Sequence, residues 1–246
     1  MHSSQRFDGI DSLRGLAMVW MTVFHFSFDL ANAGYTQQNF YVDPVWTWQR
    51  TCILSLFLLC AGAGQAIAVA QGQSWGRFWR RWAQIAGCAL LVSLGSWFMF
   101  PKSYIHFGVL HGMAVMLIVA RLTAGWGRWL WLAGLLAVAS KFVAAYAIST
   151  GGMPQFFNEK ALNWLGWVSR LPITEDYVPV FPWLGVLWWG MAATQWWLQR
   201  GGRPPMASLR HVAPLGWLGR HSLSYYMLHQ PIMLGGLALF GVLSRP

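Results

Sequence analysis

Acidic side chains are scarce in this chain: 7 Asp and Glu stand against 17 Lys and Arg among 246 residues. They form no cluster, so a carboxylate-rich metal site has no donor set. Cysteine is scarcer still. Cys52, Cys60 and Cys88 fall inside apolar runs with no CxxC pair, which excludes a zinc knuckle and an extracellular disulfide framework. No bound metal is expected. Charged residues of both signs make up only 10% of the chain, against roughly 25% in soluble domains. Also missing are a polar linker long enough to separate domains and any repeat of motifs between the halves. The first absence predicts a single integral-membrane domain over 1–246, and the second counts against a transporter built from repeats.

What fills the chain instead is apolar: 56% hydrophobic residues, with 18 Trp and 26 Gly. Seven apolar runs stand out, at about 13–34, 51–71, 83–100, 107–121, 128–149, 178–199 and 222–243, against the roughly 20 residues a spanning helix needs. The expected fold is therefore all-α, a polytopic membrane helical bundle of about seven transmembrane helices. Assigning the connections alternately puts eleven arginines on one side (Arg6, Arg14, Arg77, Arg80, Arg81, Arg121, Arg128, Arg200, Arg203, Arg210, Arg220). Five basic residues fall on the other (Arg50, Lys102, Lys160, Arg170, Arg245), and Lys141 lies inside the fifth run. The positive-inside rule then puts the N-terminus in the cytoplasm and the C-terminus outside. The net charge of +10 reads as membrane topology, with no nucleic-acid partner. Ala31-Asn-Ala33 has the form of a signal-peptidase site, but His25 and Asp29 interrupt the apolar approach to it, so the first run reads as a retained span.

That first run carries the most informative residues. Arg14, His25 and Asp29 are separated by eleven and four positions, which puts all three on one stripe of a helix. His25 then lies roughly 16 Å beyond Arg14, and Asp29 about 6 Å further. Ionisable groups inside a span are costly and face protein or water, so each is a functional candidate; the plainer reading is an interfacial anchor with a hydrogen-bonded His. In the same topology His106 and His111, at the start of the fourth run, share the outer half of the membrane with His25 and Asp29. The second inner loop, 71–82, holds Arg77-Phe-Trp-Arg80-Arg81. It reads either as a topology signal with snorkelling side chains or as a site for a phosphate-bearing ligand. In the last run, Ser222, Tyr225, Tyr226 and His229 form a polar stripe, and Pro231 predicts a kink by freeing the Met227 carbonyl. The stretch 156–171 has apolar residues at helical spacing, which predicts a short helix lying in the outer interface. Residues 200–221, rich in Arg, Gly and Pro, read as a surface connection.

Four stretches, spread over nearly the whole chain, resemble one family. They are Asp11-Ser-Leu-Arg-Gly through His25, Gly108-Val-Leu-His-Gly-Met-Ala, Phe181-Pro-Trp-Leu-Gly, and Leu218-Gly-Arg-His-Ser-Leu…Leu-His-Gln-Pro-Ile232. The family is that of the membrane acetyltransferases typified by heparan-α-glucosaminide N-acetyltransferase, with its short bacterial relatives. The resemblance implies an acetyltransferase of a bacterial inner membrane, moving acetyl from cytoplasmic acetyl-CoA to a sugar or glycoconjugate outside. The eukaryotic members carry Asn where His25 stands and place their His in the following loop; residues 31–41 contain none here.

The residues accommodate that chemistry on their own terms. Acyl transfer from a thioester needs a base, a stabiliser for the oxyanion and a site for the carrier. His25 suits the base, with Asp29 one turn away to orient it and with His106 and His111 as further candidates. Arg14, Arg77, Arg80, Arg81 and Arg220 supply cations for the carrier's phosphates. Ser222, Tyr226 and His229 extend the donor-binding set along the last span. The competing expectation is a proton-coupled transporter, since intramembrane His and Asp also make proton relays. Membrane lipid surrounds the chain under either reading, and Gly-rich faces are compatible with a homodimer.

Overall fold

The computed structural model describes residues 8–201 and 213–243. Within them the chain is all-helical: α1 (Asp8–Asn32), α2 (Pro44–Ala70), α3 (Trp75–Met99), α4 (Val109–Leu122), α5 (Trp129–Ser149), α6 (Val180–Gln199), α7 (Ala213–Arg220) and α8 (Ser222–Leu243). No strand occurs among the described residues, only an isolated bridge between Phe107 and Tyr177. Each apolar run of the sequence lies in one helix. Three of them, α2, α3 and α5, are long and apolar enough to cross a membrane by length and composition. In α1, α6 and α8, charges, indoles or a polar stripe lower the hydropathy. Arg6, Arg203, Arg210 and Arg245, counted in the charge asymmetry, lie outside the described residues.

Three local expectations change. The stretch 156–171 is not a helix but two 3-10 turns, Gln155–Asn158 and Asn163–Leu165. The reason is turn chemistry. The Asn158 side-chain oxygen accepts the Ser169 and Arg170 backbone N–H groups. Gly166 adopts φ +96°, where a Cβ would also meet the Phe181 carbonyl oxygen at 1.8 Å. The basic-aromatic stretch is the start of α3 instead of a loop: Ser74 caps the helix by accepting the Arg77 N–H. The connection before the last run ends in a helix, α7, despite Pro214, Gly216 and Gly219. The prolines before α6 act as expected, with Pro179 and Phe181 in extended backbone, while α8 is continuous through Pro231.

The chain forms two compact units. The first holds α1, the start of α2 up to Phe57, α7 and α8. Its core is Met18, Met21, Phe24, Phe40 and Ile53, with Phe28, Trp46, Tyr225 and Tyr226 packed against it. The second runs from Leu58 through α6 around Leu58, Met116, Leu130, Ile148, Leu187 and Met191. In the first unit α7 lies on α1 at backbone contact. A Cβ on Gly15 would come 2.0 Å from the Leu215 carbonyl oxygen, and one on Gly219 would come 1.8 Å from that of Asp11. Only hydrogen side chains permit this approach, which accounts for the glycine of Asp-Ser-Leu-Arg-Gly and that of Leu-Gly-Arg.

Candidate active site

The contacts between the first and last helices keep one order. Arg14 reaches the Gly219 carbonyl, Thr22 the Tyr225 hydroxyl, His25 the His229 ring and Asp29 the Gln230 amide. From Thr22 to Asp29 positions rise together on both sides, so α1 and α8 run parallel, whereas α7 packs antiparallel to α1, with Gly15 against Leu215 and Asp11 against Gly219.

The site is built on this register. His25 Nδ1 lies 2.9 Å from His229 Nε2, with the two rings within 15° of coplanar. His229 Nδ1 lies 2.7 Å from the Tyr226 carbonyl oxygen. A carbonyl only accepts, so in the neutral pair His229 carries its proton on Nδ1 and offers a lone pair at Nε2. His25 must then donate from Nδ1, and its Nε2 keeps a lone pair. The hydrogen-bond chain therefore selects one atom, His25 Nε2, as basic. Below it, the Thr22 hydroxyl donates to the Met18 carbonyl (2.8 Å) and, its proton thus committed, accepts from the Tyr225 hydroxyl (2.6 Å). Tyr225 stacks within 8° of the His229 ring plane, which fixes that ring's attitude.

Asp29 is buried, and its two carboxylate oxygens accept from the Gln230 amide nitrogen at 2.9 and 3.0 Å. The side chain bonded to His25 is thus His229, while that bonded to Asp29 is Gln230. Arg14 Nη1 spans Asp11 at 3.3 Å and the Gly219 carbonyl, in the last turn of α7, at 3.4 Å. There a cation also meets the negative end of the helix dipole. Arg220 is exposed, and Ser222 and His229 are buried.

Beside the pair lies a cavity of about 490 Å³, lined by Thr22, Trp217, His221, Ser224, Tyr225, Leu228, His229, Ile232 and Met233. Its wall is almost entirely apolar along its length, from Trp217 and His221 at one end to Leu228, Ile232 and Met233 at the other.

His106 and His111 belong to the second unit. His111 is fully used: Nδ1 accepts the Gly108 N–H at 3.3 Å and Nε2 lies 3.0 Å from Ser93 Oγ, whose own proton goes to the Ile105 carbonyl. His106 Nε2 lies 3.3 Å from the side-chain oxygen of the buried Asn163. Burial holds His106 below the usual imidazole range. The Tyr177 hydroxyl, pushed up by burial, donates to the Asn163 carbonyl. The Asp176 carboxylate accepts the Val109 N–H at the start of α4. Arg77, Arg80 and Arg81 are exposed on the first turns of α3, Arg81 donating to Gln84. Among the described residues no group of His, Cys, Asp and Glu is arranged to hold a metal ion.

The family model for the catalytic region of heparan-alpha-glucosaminide N-acetyltransferase matches residues 6–231. The chain belongs to that family. No curated protein and no solved structure gives a significant match. Membership in the heparan-alpha-glucosaminide N-acetyltransferase family makes acyl transfer the chemistry of this membrane protein, with acetyl-CoA the donor used by the family. Within this acetyltransferase, sequence reasoning puts His229 among donor-binding candidates; the structure bonds it to His25. It passes over Gln230 and Thr22. The stripe containing Ser222, Tyr225, Tyr226 and His229 is the available signal, because two polar stripes in otherwise apolar helices satisfy each other by facing.

Proposed function

We propose that this protein is an acetyl-CoA-dependent acetyltransferase acting across a bacterial inner membrane on a hydroxyl or amine of a sugar or glycoconjugate. The observation that carries the reading is the His25–His229 pair, whose hydrogen-bond polarity leaves a lone pair on His25 Nε2. His25 Nε2 takes the proton of the acceptor's O–H or N–H as that atom bonds to the acyl carbon. The acyl carbon–sulfur bond then breaks, and the imidazolium returns the proton to the departing thiolate, so that thiol and acetylated acceptor leave with the enzyme unchanged. His229 accepts the His25 Nδ1–H throughout and shares the positive charge, the role a carboxylate has in hydrolase triads. Asp29, one turn further on, contributes buried negative charge toward the same imidazolium.

The cytoplasmic end of the donor site is assigned to the exposed Arg220 and to Arg14. Arg77, Arg80 and Arg81, exposed on α3 in the second unit, are proposed from the sequence alone as phosphate-binding residues. The cavity beside His229 runs along α8 from the level of His221 and offers an apolar channel for the arm. From His221 to His229 the helix rises roughly 12 Å, comparable with the reach of a pantetheine arm. A single acyltransferase domain is supported by the match at 6–231, which runs through both units.

The test is transfer from radiolabelled acetyl-CoA to p-nitrophenyl α-glucosaminide by the purified full chain in nanodiscs. Wild type is expected to transfer label; folded His25→Ala should bind CoA with unchanged affinity and transfer at least about 1000-fold more slowly. Normal turnover by folded His25→Ala would remove the proposal.

A further inference from the structure

The second unit gathers its arginines at one end. Arg121, in the last turn of α4, lies over the rings of Trp75 and Phe78 in the first turn of α3, 5.1 and 5.7 Å from their centroids. The Gln195 amide, one turn before the end of α6, donates at 2.8 Å to the carbonyl of Ala124, which lies between α4 and α5. The start of α3, the end of α4, the start of α5 and the end of α6 therefore meet. They bring together Arg77, Arg80, Arg81, Arg121, Arg128 and Arg200. No Asp or Glu lies between Asp43 and Glu159 or beyond Asp176 in the sequence, so the unit supplies no carboxylate at this end. Its other end is balanced. There Lys102, Lys160 and Arg170 stand with Glu159, Glu175 and Asp176, on two connections joined by the Ser103–Glu175 hydrogen bond.

Two cations of the arginine-rich end are seated on exposed indoles. Arg200 lies 4.0 Å from the ring centroid of Trp196, and Arg128 lies 5.6 Å from that of Trp129. Trp126, Trp129 and Trp196 are 49%, 59% and 50% exposed. An indole suits the level where acyl chains give way to headgroups, and an arginine beside it extends its charge toward the phosphates. We infer that this end of the second unit binds anionic phospholipid. Arg128 and Arg200 take the headgroup phosphates, and Trp126, Trp129 and Trp196 lie against the glycerol and the upper acyl chain. The planar guanidinium matches phosphate oxygens in pairs, and the net negative charge of the lipid meets no local carboxylate. Neither Arg128 nor Arg200 is among the residues assigned to the donor.

The experiment titrates the full chain in neutral detergent with phosphatidylglycerol and with phosphatidylcholine, reading bound lipid by native mass spectrometry. The two lipids share the phosphate and differ in net charge. Each arginine at a headgroup surface contributes roughly fivefold, so wild type is expected to bind the first phosphatidylglycerol about 25-fold tighter than phosphatidylcholine. In Arg128→Gln/Arg200→Gln that preference should fall by about the same factor. Lys102→Gln/Arg170→Gln, at the balanced end, should keep it. Monodispersity and melting temperature report folding. Equal affinity of wild type for the two lipids would overturn the inference whatever the variants do. An undiminished preference in folded Arg128→Gln/Arg200→Gln would put the lipid elsewhere and overturn it too. So would displacement of phosphatidylglycerol by inorganic phosphate or acetyl-CoA, which would assign the arginines to a soluble phosphate. Transfer of labelled acetyl, measured separately, reports on the acyltransferase reading alone.

Discussion

His25 and His229 have four ring nitrogens between them but, when neutral, only two ring protons, and the Tyr226 carbonyl decides where those sit. Replacing His229 therefore alters the base without touching it. In His229→Ala, His25 loses the acceptor that keeps its proton on Nδ1, and turnover should fall by about 100- to 1000-fold with little change in donor affinity. His229→Gln restores an acceptor oxygen at that end and should recover some of the loss. The measurement is single-turnover transfer from acetyl-CoA by both variants. Equal rates in His229→Ala and wild type would show that the second ring merely packs. The same reasoning separates His25 from His111, whose two nitrogens are spent on Gly108 and Ser93.

Helices α1 and α7 meet through glycine, and here a single methyl group is decisive. Gly219→Ala puts carbon within 1.8 Å of the Asp11 carbonyl oxygen, a backbone atom that cannot swing aside. Separating the helices should cost about 1–3 kcal/mol and carry Arg14 away from the Gly219 carbonyl. Thermal melting in detergent checks this, with Gly235→Ala, where a Cβ would meet nothing within 4 Å, as the matched control. Elements of this kind were legible in the sequence to different degrees. The seven apolar runs were plain, because hydrophobic length survives any packing. The helical stripe of Arg14, His25 and Asp29 was readable from period alone. Helix α7 was masked by Pro214, Gly216 and Gly219, whose loop-like composition serves close packing. The stretch 156–171 misled in the opposite direction, since its apolar spacing concealed the turn built by Asn158 and Gly166. Which stripe faced His25 was beyond reach, because pairing over 204 residues leaves no local mark.

For the whole molecule, the arginine asymmetry predicts that α1 and α8, which run parallel, both enter from the cytoplasm. A variant lacking Cys52, Cys60 and Cys88, given one new cysteine, tests it in intact cells with a membrane-impermeant thiol reagent. Ser74→Cys, at the exposed start of α3, should stay unlabelled, and Glu159→Cys, exposed in the long connection before α6, should react. The reverse pattern would invert the protein and take the donor's arginines to the wrong side.

The parallel register also fixes when the enzyme can first work. Of the described helices, His25 lies on the first to be synthesised and His229 on the last, with five between α1 and α7. Until Ser222–Leu243 is inserted, His25 lacks the ring that sets its proton, and the cavity lacks most of its wall. If His25 is the base as proposed, a chain is inert until α8 is in place, and a product stopped short of α8 is expected to carry every other described helix and no activity.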